Sequence, residues 1–155
     1  MAATPGGTSV VEHEIRVAAR PETVFAHFTD PAKMVLWMGT EATLDPRPGG
    51  TCRINVNGVA PILGEYVEVD PYDRIVFTWG WEQRWFDMPP KSSEVEVTFT
   101  PDGDSTLVKL THTRIPEAAA RFHTFGWTHY MERLRVVAEG GDPGPDPMRI
   151  IPPSR

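Results

Sequence analysis

An alternation of apolar and polar residues, broken only by turn signals, extends from residue 41 to residue 113. Alternation with a period of two predicts strands that bury one face. We predict six such strands, at 41–46, 51–57, 62–69, 74–81, 94–100 and 106–113. The connections are short and rich in Pro, Gly, Asn and Asp, which is typical of turns between antiparallel neighbours. The pattern therefore predicts an antiparallel meander.

The residues on both sides of the meander complete the fold. Ser9 to Val17 also alternates and predicts a first strand, followed by two short helices that begin near Pro21 and Pro31. Residues 116–139 form the longest amphipathic pattern in the chain. This order predicts an α+β fold, in which a curved seven-stranded antiparallel sheet wraps around a long C-terminal helix.

The two ends differ in composition from the middle of the chain. Residues 1–8 are small and turn-prone, and residues 140–155 are rich in Pro and Gly. Such segments bury too little apolar surface to order themselves. We therefore expect a single folded domain at 9–139, with a flexible N-terminus and a flexible C-terminal tail.

Charge and cysteine content exclude several classes of function. Asp and Glu outnumber Lys and Arg by 21 to 15, which argues against a nucleic-acid partner. Cys52 is the only cysteine, so neither an intramolecular disulfide nor a thiolate zinc site is expected. We find no long apolar segment and no histidine–carboxylate metal motif. The sequence predicts a cytoplasmic protein with no metal, no cofactor and no membrane insertion.

Several motifs resemble those of one superfamily and occur in its order. The string VFAHFTDP at 24–31, with Trp37 after it, resembles the opening of START-like (SRPBCC, Bet v 1-type) proteins. RPGG at 47–50 resembles the glycine turn of these proteins. GEYVEVDP at 64–71, followed by RIVFTW at 74–79, resembles their hairpin.

The second half of the chain resembles one branch of this superfamily. STLVKLTH at 105–112 is similar to the penultimate strand, and Gly126-Trp127 with Met131 and Leu134 is similar to the final helix. That branch is called activator of heat-shock-protein-90 ATPase homologue-like. The resemblance implies a helix-grip fold, with a mostly apolar cavity between the sheet and the last helix. Its members have very different activities, so the site residues must decide the function.

The candidate ligand-binding residues lie on the inward face of the predicted strands and on one face of the last helix. Alternation places their side chains on the side of the sheet that faces the helix. For most of them, packing in an ordinary core is the alternative. The candidates are Trp37, Ile54, Val56, Tyr66, Phe77, Trp79, Trp81, Val95, Val97, His112, Phe122, Gly126, Trp127 and Tyr130.

Two candidates have a structural and a functional interpretation. Gly126 lies inside a helix at a cost of about 1 kcal/mol relative to Ala, which either leaves room for a ligand or allows close packing of helix and sheet. His112 is predicted to point inward, where it is a structural histidine or a general base. As a base it would act with Glu65 or Tyr66, although a surface position is expected for Glu65.

The segment at 82–92 is longer and more aromatic than a hairpin requires. Trp85 and Phe86 would be costly to expose unless they cover a cavity or a second subunit. We therefore expect a homodimer in which this loop is either a lid over the cavity or part of the interface.

Taken together, these features favour binding of a small hydrophobic molecule, such as a lipid, an aromatic or a polyketide-like compound. An enzyme of the cyclase or hydratase type, using His112 with Glu65 or Tyr66, is the first alternative. A co-chaperone-like stress protein is the second. Catalysis is left open, with a non-catalytic role favoured.

Overall fold

A computed structural model describes residues 7–148 of the chain. Its strands are β1 Thr8–Val17, β2 Glu41–Leu44, β3 Thr51–Asn55, β4 Pro61–Asp70, β5 Arg74–Trp79, β6 Ser93–Asp102 and β7 Ser105–Pro116. Its helices are α1 Pro21–Thr29, α2 Pro31–Met34 and α3 Ala120–Ala138, with 3₁₀ turns at Trp85–Asp87 and Glu117–Ala119.

The strands form one antiparallel sheet in the order β1-β7-β6-β5-β4-β3-β2. Only β1 departs from a simple meander, because it pairs with β7 at the edge. The α3 helix lies against this sheet and has its most extensive contacts with β1. The predicted fold class, a seven-stranded antiparallel sheet with a long C-terminal helix and two short helices after the first strand, is confirmed.

Local sequence signals explain the two short helices. Pro21 stands in the first turn of α1, where its missing N–H has no intrahelical partner to lose. Asp30 starts α2, since its Oδ1 accepts a hydrogen bond from the Ala32 N–H at 3.0 Å. The α2 helix is a single turn, and the chain then bends to Gly39, whose φ of +87° suits glycine.

The helices α1 and α2 fill one end of the space between the sheet and α3. Phe28 packs edge-on against Trp37, with ring centroids 5.0 Å apart, and against Phe99 of β6 at 5.6 Å. The indole N–H of Trp37 donates to the His27 carbonyl at 2.9 Å. This end of the molecule is therefore a packed aromatic core.

Several predicted boundaries were wrong. β2 and β3 end at Leu44 and Asn55 rather than at residues 46 and 57. β5 ends at Trp79 rather than at residue 81, because Trp81 joins the sheet only through an isolated bridge to Ile62. The last helix begins at Ala120 rather than at residue 116, because β7 extends through Pro116 and a 3₁₀ turn follows it. Pairing of Thr8 with Pro116 at the sheet edge holds this extension.

The expected flexible ends lie partly outside the described residues, which exclude 1–6 and 149–155. Within the described part, residues 142–148 have no regular secondary structure but contact α3 through side-chain hydrogen bonds. In residues 7–148 no helix combines the length and the apolar character that spanning a bilayer requires.

Candidate functional site

An apolar cavity of about 140 Å³ lies between the sheet and α3. Its walls come from β5 and the residues after it, from α3, from the loop after β3 and from the C-terminal segment. The residues that line it are Met38, Val56, Asn57, Trp79, Trp81, Trp85, Phe122, His123, Gly126, Trp127, Tyr130 and Met148.

Seven of the predicted ligand-binding residues line this cavity: Val56, Trp79, Trp81, Phe122, Gly126, Trp127 and Tyr130. The other seven are buried but do not line it: Trp37, Ile54, Tyr66, Phe77, Val95, Val97 and His112. For Trp37 and Tyr66 the difference follows from the position of α1, against which both residues pack. His112 is instead covered by Trp79 and Trp127, which line the cavity themselves.

The sequence interpretation missed five lining residues, namely Met38, Asn57, Trp85, His123 and Met148. Trp85 belongs to the loop for which a lid was one expectation, so its aromatic character was the available signal. His123 lies three residues before Gly126 on the same helix face, and this spacing could have identified it. Nothing in the sequence placed Met148, since it follows the Pro- and Gly-rich stretch.

His112 on β7 is fully buried, and both of its ring nitrogens are engaged. Trp127 Nε1–H donates to Nδ1 at 3.0 Å, so the ring proton resides on Nε2. Nε2 in turn donates to Ser93 Oγ at 2.8 Å, and Ser93 donates to the Trp79 carbonyl at 2.6 Å. Burial, followed by the nearby His123, lowers the pKa of His112 well below 6.5. The imidazole is therefore neutral, with no lone pair left for a substrate.

His123 on α3 repeats this arrangement inside the cavity wall. Trp81 Nε1–H donates to its Nε2 at 3.3 Å, and its Nδ1 donates to the Ala119 carbonyl at 2.8 Å. Burial lowers the pKa of His123, and the hydrogen bond to the Ala119 carbonyl partly opposes this shift. The rings of His112 and His123 meet edge-on, with centroids 5.5 Å apart. Two neutral Trp–His pairs therefore stand side by side.

Neither proposed acid–base partner of His112 is hydrogen-bonded to it. Glu65 is half-exposed and forms an ion pair with Lys91 at 3.5 Å. The Tyr66 hydroxyl is buried and donates to the Phe28 carbonyl at 3.0 Å. Burial raises the pKa of Tyr66, so it stays protonated. The three groups therefore do not form a catalytic cluster.

Gly126 lies where α3 faces the cavity. A Cβ built on it has no atom within 4 Å among the described residues. Close packing of helix and sheet therefore does not require a glycine at this position. The missing side chain instead enlarges the cavity, at the cost of helix propensity.

The loop at 82–92 folds over one side of the cavity. Trp85 stacks on Trp81 with centroids 5.5 Å apart, and Phe86 stacks on Phe122 at 4.5 Å. Arg84, Phe86 and Asp87 have φ values near +60°, which L-residues rarely adopt. Such backbone conformations are strained, and the aromatic packing of Trp85 and Phe86 holds the loop in place.

The C-terminal segment closes the opposite side. Asp146 accepts hydrogen bonds from the Tyr130 hydroxyl at 2.6 Å and interacts with His129 Nε2 at 2.8 Å. Arg133 donates to the Gly144 carbonyl at 3.0 Å and to the Trp37 carbonyl at 3.1 Å. These bonds hold Met148 against the cavity.

Among residues 7–148, no charged side chain lines the cavity, since the lining there includes no Asp, Glu, Lys or Arg. His123, which does line it, is neutral. Within residues 7–148, His, Cys, Asp and Glu nowhere gather in threes as metal ligands would. Burial raises the pKa of the Cys52 thiol to about 12, so this cysteine is no nucleophile. The arrangement is suited to binding an uncharged, apolar molecule.

The curved antiparallel sheet, the long last helix and the cavity between them define a helix-grip protein of the START-like class. The family of Activator of Hsp90 ATPase homolog 1-like proteins matches residues 18–139, and the chain belongs to this family. The resemblance stated from the sequence is thereby confirmed. No curated protein matches the chain significantly.

Several solved structures share the fold. An AHSA1-like protein from Rhizobium etli is 41% identical with a TM-score of 0.74, over 100% of this chain and 97% of that one. DynU16, described as a putative protein in the dynemicin biosynthetic locus, is 22% identical with a TM-score of 0.74, over 91% of this chain and 49% of its own. The Aha1 dimer from Colwellia psychrerythraea is 18% identical with a TM-score of 0.72, over 86% and 98% of the two chains.

Proposed function

We propose that the protein binds a small hydrophobic molecule in the cavity between the sheet and α3. The observation that carries this proposal is the empty space at Gly126. A packed core gains nothing from a helical glycine that contacts nothing, because alanine would raise helix stability and fill the void. A binding cavity benefits from the same glycine, since it provides volume for the ligand.

The volume of the cavity constrains the size of this molecule. About 140 Å³ is close to the roughly 150 Å³ of an engineered apolar cavity that binds benzene. Pockets for drug-sized ligands start at roughly 300 Å³. Of the three classes expected from the sequence, an aromatic compound fits the cavity as it stands. A lipid or a polyketide-like compound requires the 82–92 loop or the 142–148 segment to move.

Binding without catalysis is favoured over the cyclase or hydratase alternative. The hydrogen bonds of His112 to Trp127 and Ser93 leave it without a free nitrogen, and Glu65 pairs with Lys91. A general base needs a free lone pair within reach of the substrate. The co-chaperone alternative has the support of the family's description and of one similar structure, an HSP90 activator from Plasmodium falciparum that is 25% identical over 83% of this chain.

We propose, as a separate point, that the protein is a homodimer in the cytoplasm. The structurally similar Aha1 of Colwellia psychrerythraea is a dimer. On α3, Phe125 is 64% exposed, and aromatic residues are enriched at subunit interfaces. Sedimentation equilibrium tests the dimer, and a monomer at micromolar concentration would contradict it. Fractionation of cells that produce the protein tests the location.

The binding function is tested by isothermal titration calorimetry with ethylbenzene and by native mass spectrometry of freshly purified protein. We expect stoichiometric binding, which Gly126→Leu abolishes by filling the cavity. Thr128→Leu is the matched control, because it adds the same side chain to an exposed position of the same helix. If the wild type binds no ring compound and retains no ligand, the proposal is wrong.

A further inference from the structure

Four tryptophans are buried in the described residues: Trp37, Trp79, Trp81 and Trp127. Three of their indole N–H groups have acceptors, which are the His27 carbonyl, His123 Nε2 and His112 Nδ1. The indole N–H of Trp79 has no acceptor anywhere in residues 7–148. A buried donor without an acceptor costs about 1–3 kcal/mol, so this exception requires an explanation.

The neighbours of Trp79 cannot provide the missing acceptor. Its ring lies 5.6 Å from the His112 ring and 5.0 Å from the Trp127 ring, measured between centroids. Both nitrogens of His112 are already engaged, and the Trp127 indole is a donor only. Trp79 also lines the cavity. Its Nε1 is itself buried, so an acceptor on a bound molecule reaches the N–H once the indole ring turns toward the cavity.

Charge and size limit what that molecule is. The lining contributed by residues 7–148 has no ionised group to compensate the desolvation of a charged ligand, and such desolvation is expensive in an apolar site. The volume of about 140 Å³ holds one ring and little more. Aromatic walls from Trp79, Trp81, Trp85 and Trp127 favour a flat ring over an aliphatic chain.

We propose that the ligand is an uncharged, single-ring aromatic molecule with a hydrogen-bond acceptor, such as a carbonyl, and that the Trp79 indole N–H donates to this acceptor. The inference rests on the proposed binding function and adds to it the ligand class and the residue that selects it. Trp79 is then the specificity-determining residue, whereas the other rings supply apolar contact.

The test compares three probes with the same number of non-hydrogen atoms: acetophenone, isopropylbenzene and benzoate. By calorimetry we expect acetophenone to bind about three- to tenfold more tightly than isopropylbenzene. This ratio of affinities corresponds to the net free energy of one hydrogen bond. Benzoate should not bind measurably. Trp79→Phe keeps a ring but removes the N–H, so it should no longer prefer acetophenone, whose carbonyl is then buried without a donor. Trp85→Phe, the same replacement elsewhere in the lining, should retain the preference.

A second measurement uses the wild type alone, so it does not depend on whether a variant folds. In the ¹H–¹⁵N spectrum of the wild type, the indole N–H resonance of Trp79 should shift downfield with acetophenone and much less with isopropylbenzene. Equal affinity for the two neutral probes, or comparable binding of benzoate, would overturn the ligand class while leaving the binding function intact. Absence of binding by all three probes would overturn the binding function itself.

Discussion

Trp127 on α3 donates its indole N–H to Nδ1 of His112 on β7 over 3.0 Å, and this bond ties the last helix to the sheet beside the cavity. The bond fixes the tautomer of His112, and through Ser93 it also connects to the backbone of β5. The residue that looked most catalytic in the sequence thus has the hydrogen-bond pattern of a structural histidine.

Replacing His112 should therefore cost stability. His112→Leu leaves the Trp127 N–H buried without an acceptor, which predicts a loss of about 1–3 kcal/mol in the free energy of unfolding. Urea denaturation measures this loss. The double variant with Trp127→Phe should lose less than the sum of the two single variants, because the first change has already broken the shared bond. A near wild-type stability for His112→Leu would contradict the structural role.

Stability should fall as the pH drops below about 6.5. Burial lowers the pKa of His112 and His123, and also that of His13 and His27, below 6.5. The unfolded chain, with ordinary histidines, then takes up more protons than the folded one below this pH, so acid favours unfolding. Above pH 6.5 the histidines are largely neutral in both states and do not lower the free energy of unfolding. Urea midpoints measured from pH 8 down to pH 5 check this.

The same experiment contains its own control. Carboxyl groups titrate nearer pH 4 and contribute little above pH 5, so the histidines dominate the chosen range. His123→Gln should give a shallower decline, because one of the groups is removed. A urea midpoint that stays constant between pH 7 and pH 5 would show that these histidines protonate as readily in the folded protein.

Gly126→Ala should separate stability from binding. Alanine is better than glycine in a helix by about 1 kcal/mol, and here its methyl group meets no atom. The variant should therefore unfold at a higher temperature but bind ethylbenzene more weakly, since the methyl group occupies cavity space. Thr128→Ala, at an exposed position of α3, should stabilise the helix without changing the affinity. Undiminished affinity in Gly126→Ala would mean that the ligand does not use this space.

Asp146→Ala should accelerate ligand release. The carboxylate of Asp146 holds the 142–148 segment through Tyr130 and His129, and this segment places Met148 at the cavity. Stopped-flow tryptophan fluorescence measures the dissociation rate of a bound ring compound. Asp142→Ala is the matched control, because the one hydrogen bond that Asp142 accepts within residues 7–148 comes from Gly144 of the same segment. Identical rates in the two variants would argue against a role of the segment in retention.

The double variant Trp85→Ser with Phe86→Ser distinguishes a lid from an interface. Trp85 lines the cavity and Phe86 stacks on Phe122 at its edge, so we expect weaker ligand binding and an unchanged sedimentation coefficient. Loss of the dimer with intact binding would instead assign the loop to the subunit interface.

The sequence predicted the sheet better than the cavity, for a physical reason. Alternation reports which face of a strand is buried, and Val95, Val97 and Phe77 are indeed buried. It does not report whether that face meets protein or open space. That depends on where Phe28 of α1 packs, which only the assembled structure defines.

Loop geometry explains why the sequence analysis did not place Trp85 and Met148 in the cavity lining. Trp85 lies in a loop with an irregular backbone. Arg84, Phe86 and Asp87 adopt left-handed backbone conformations without a glycine to signal them. Met148 reaches the cavity only because Asp146 and Arg133 hold the chain beside α3. Such long-range side-chain bonds have no periodic signature in the sequence.

The match to the family ends at residue 139, but the cavity wall includes Met148, which lies beyond it. Met148 and its anchor Asp146 lie in a stretch without a strand or a helix. Loss of that stretch would therefore leave every strand and helix of the domain in place but open one wall of the cavity.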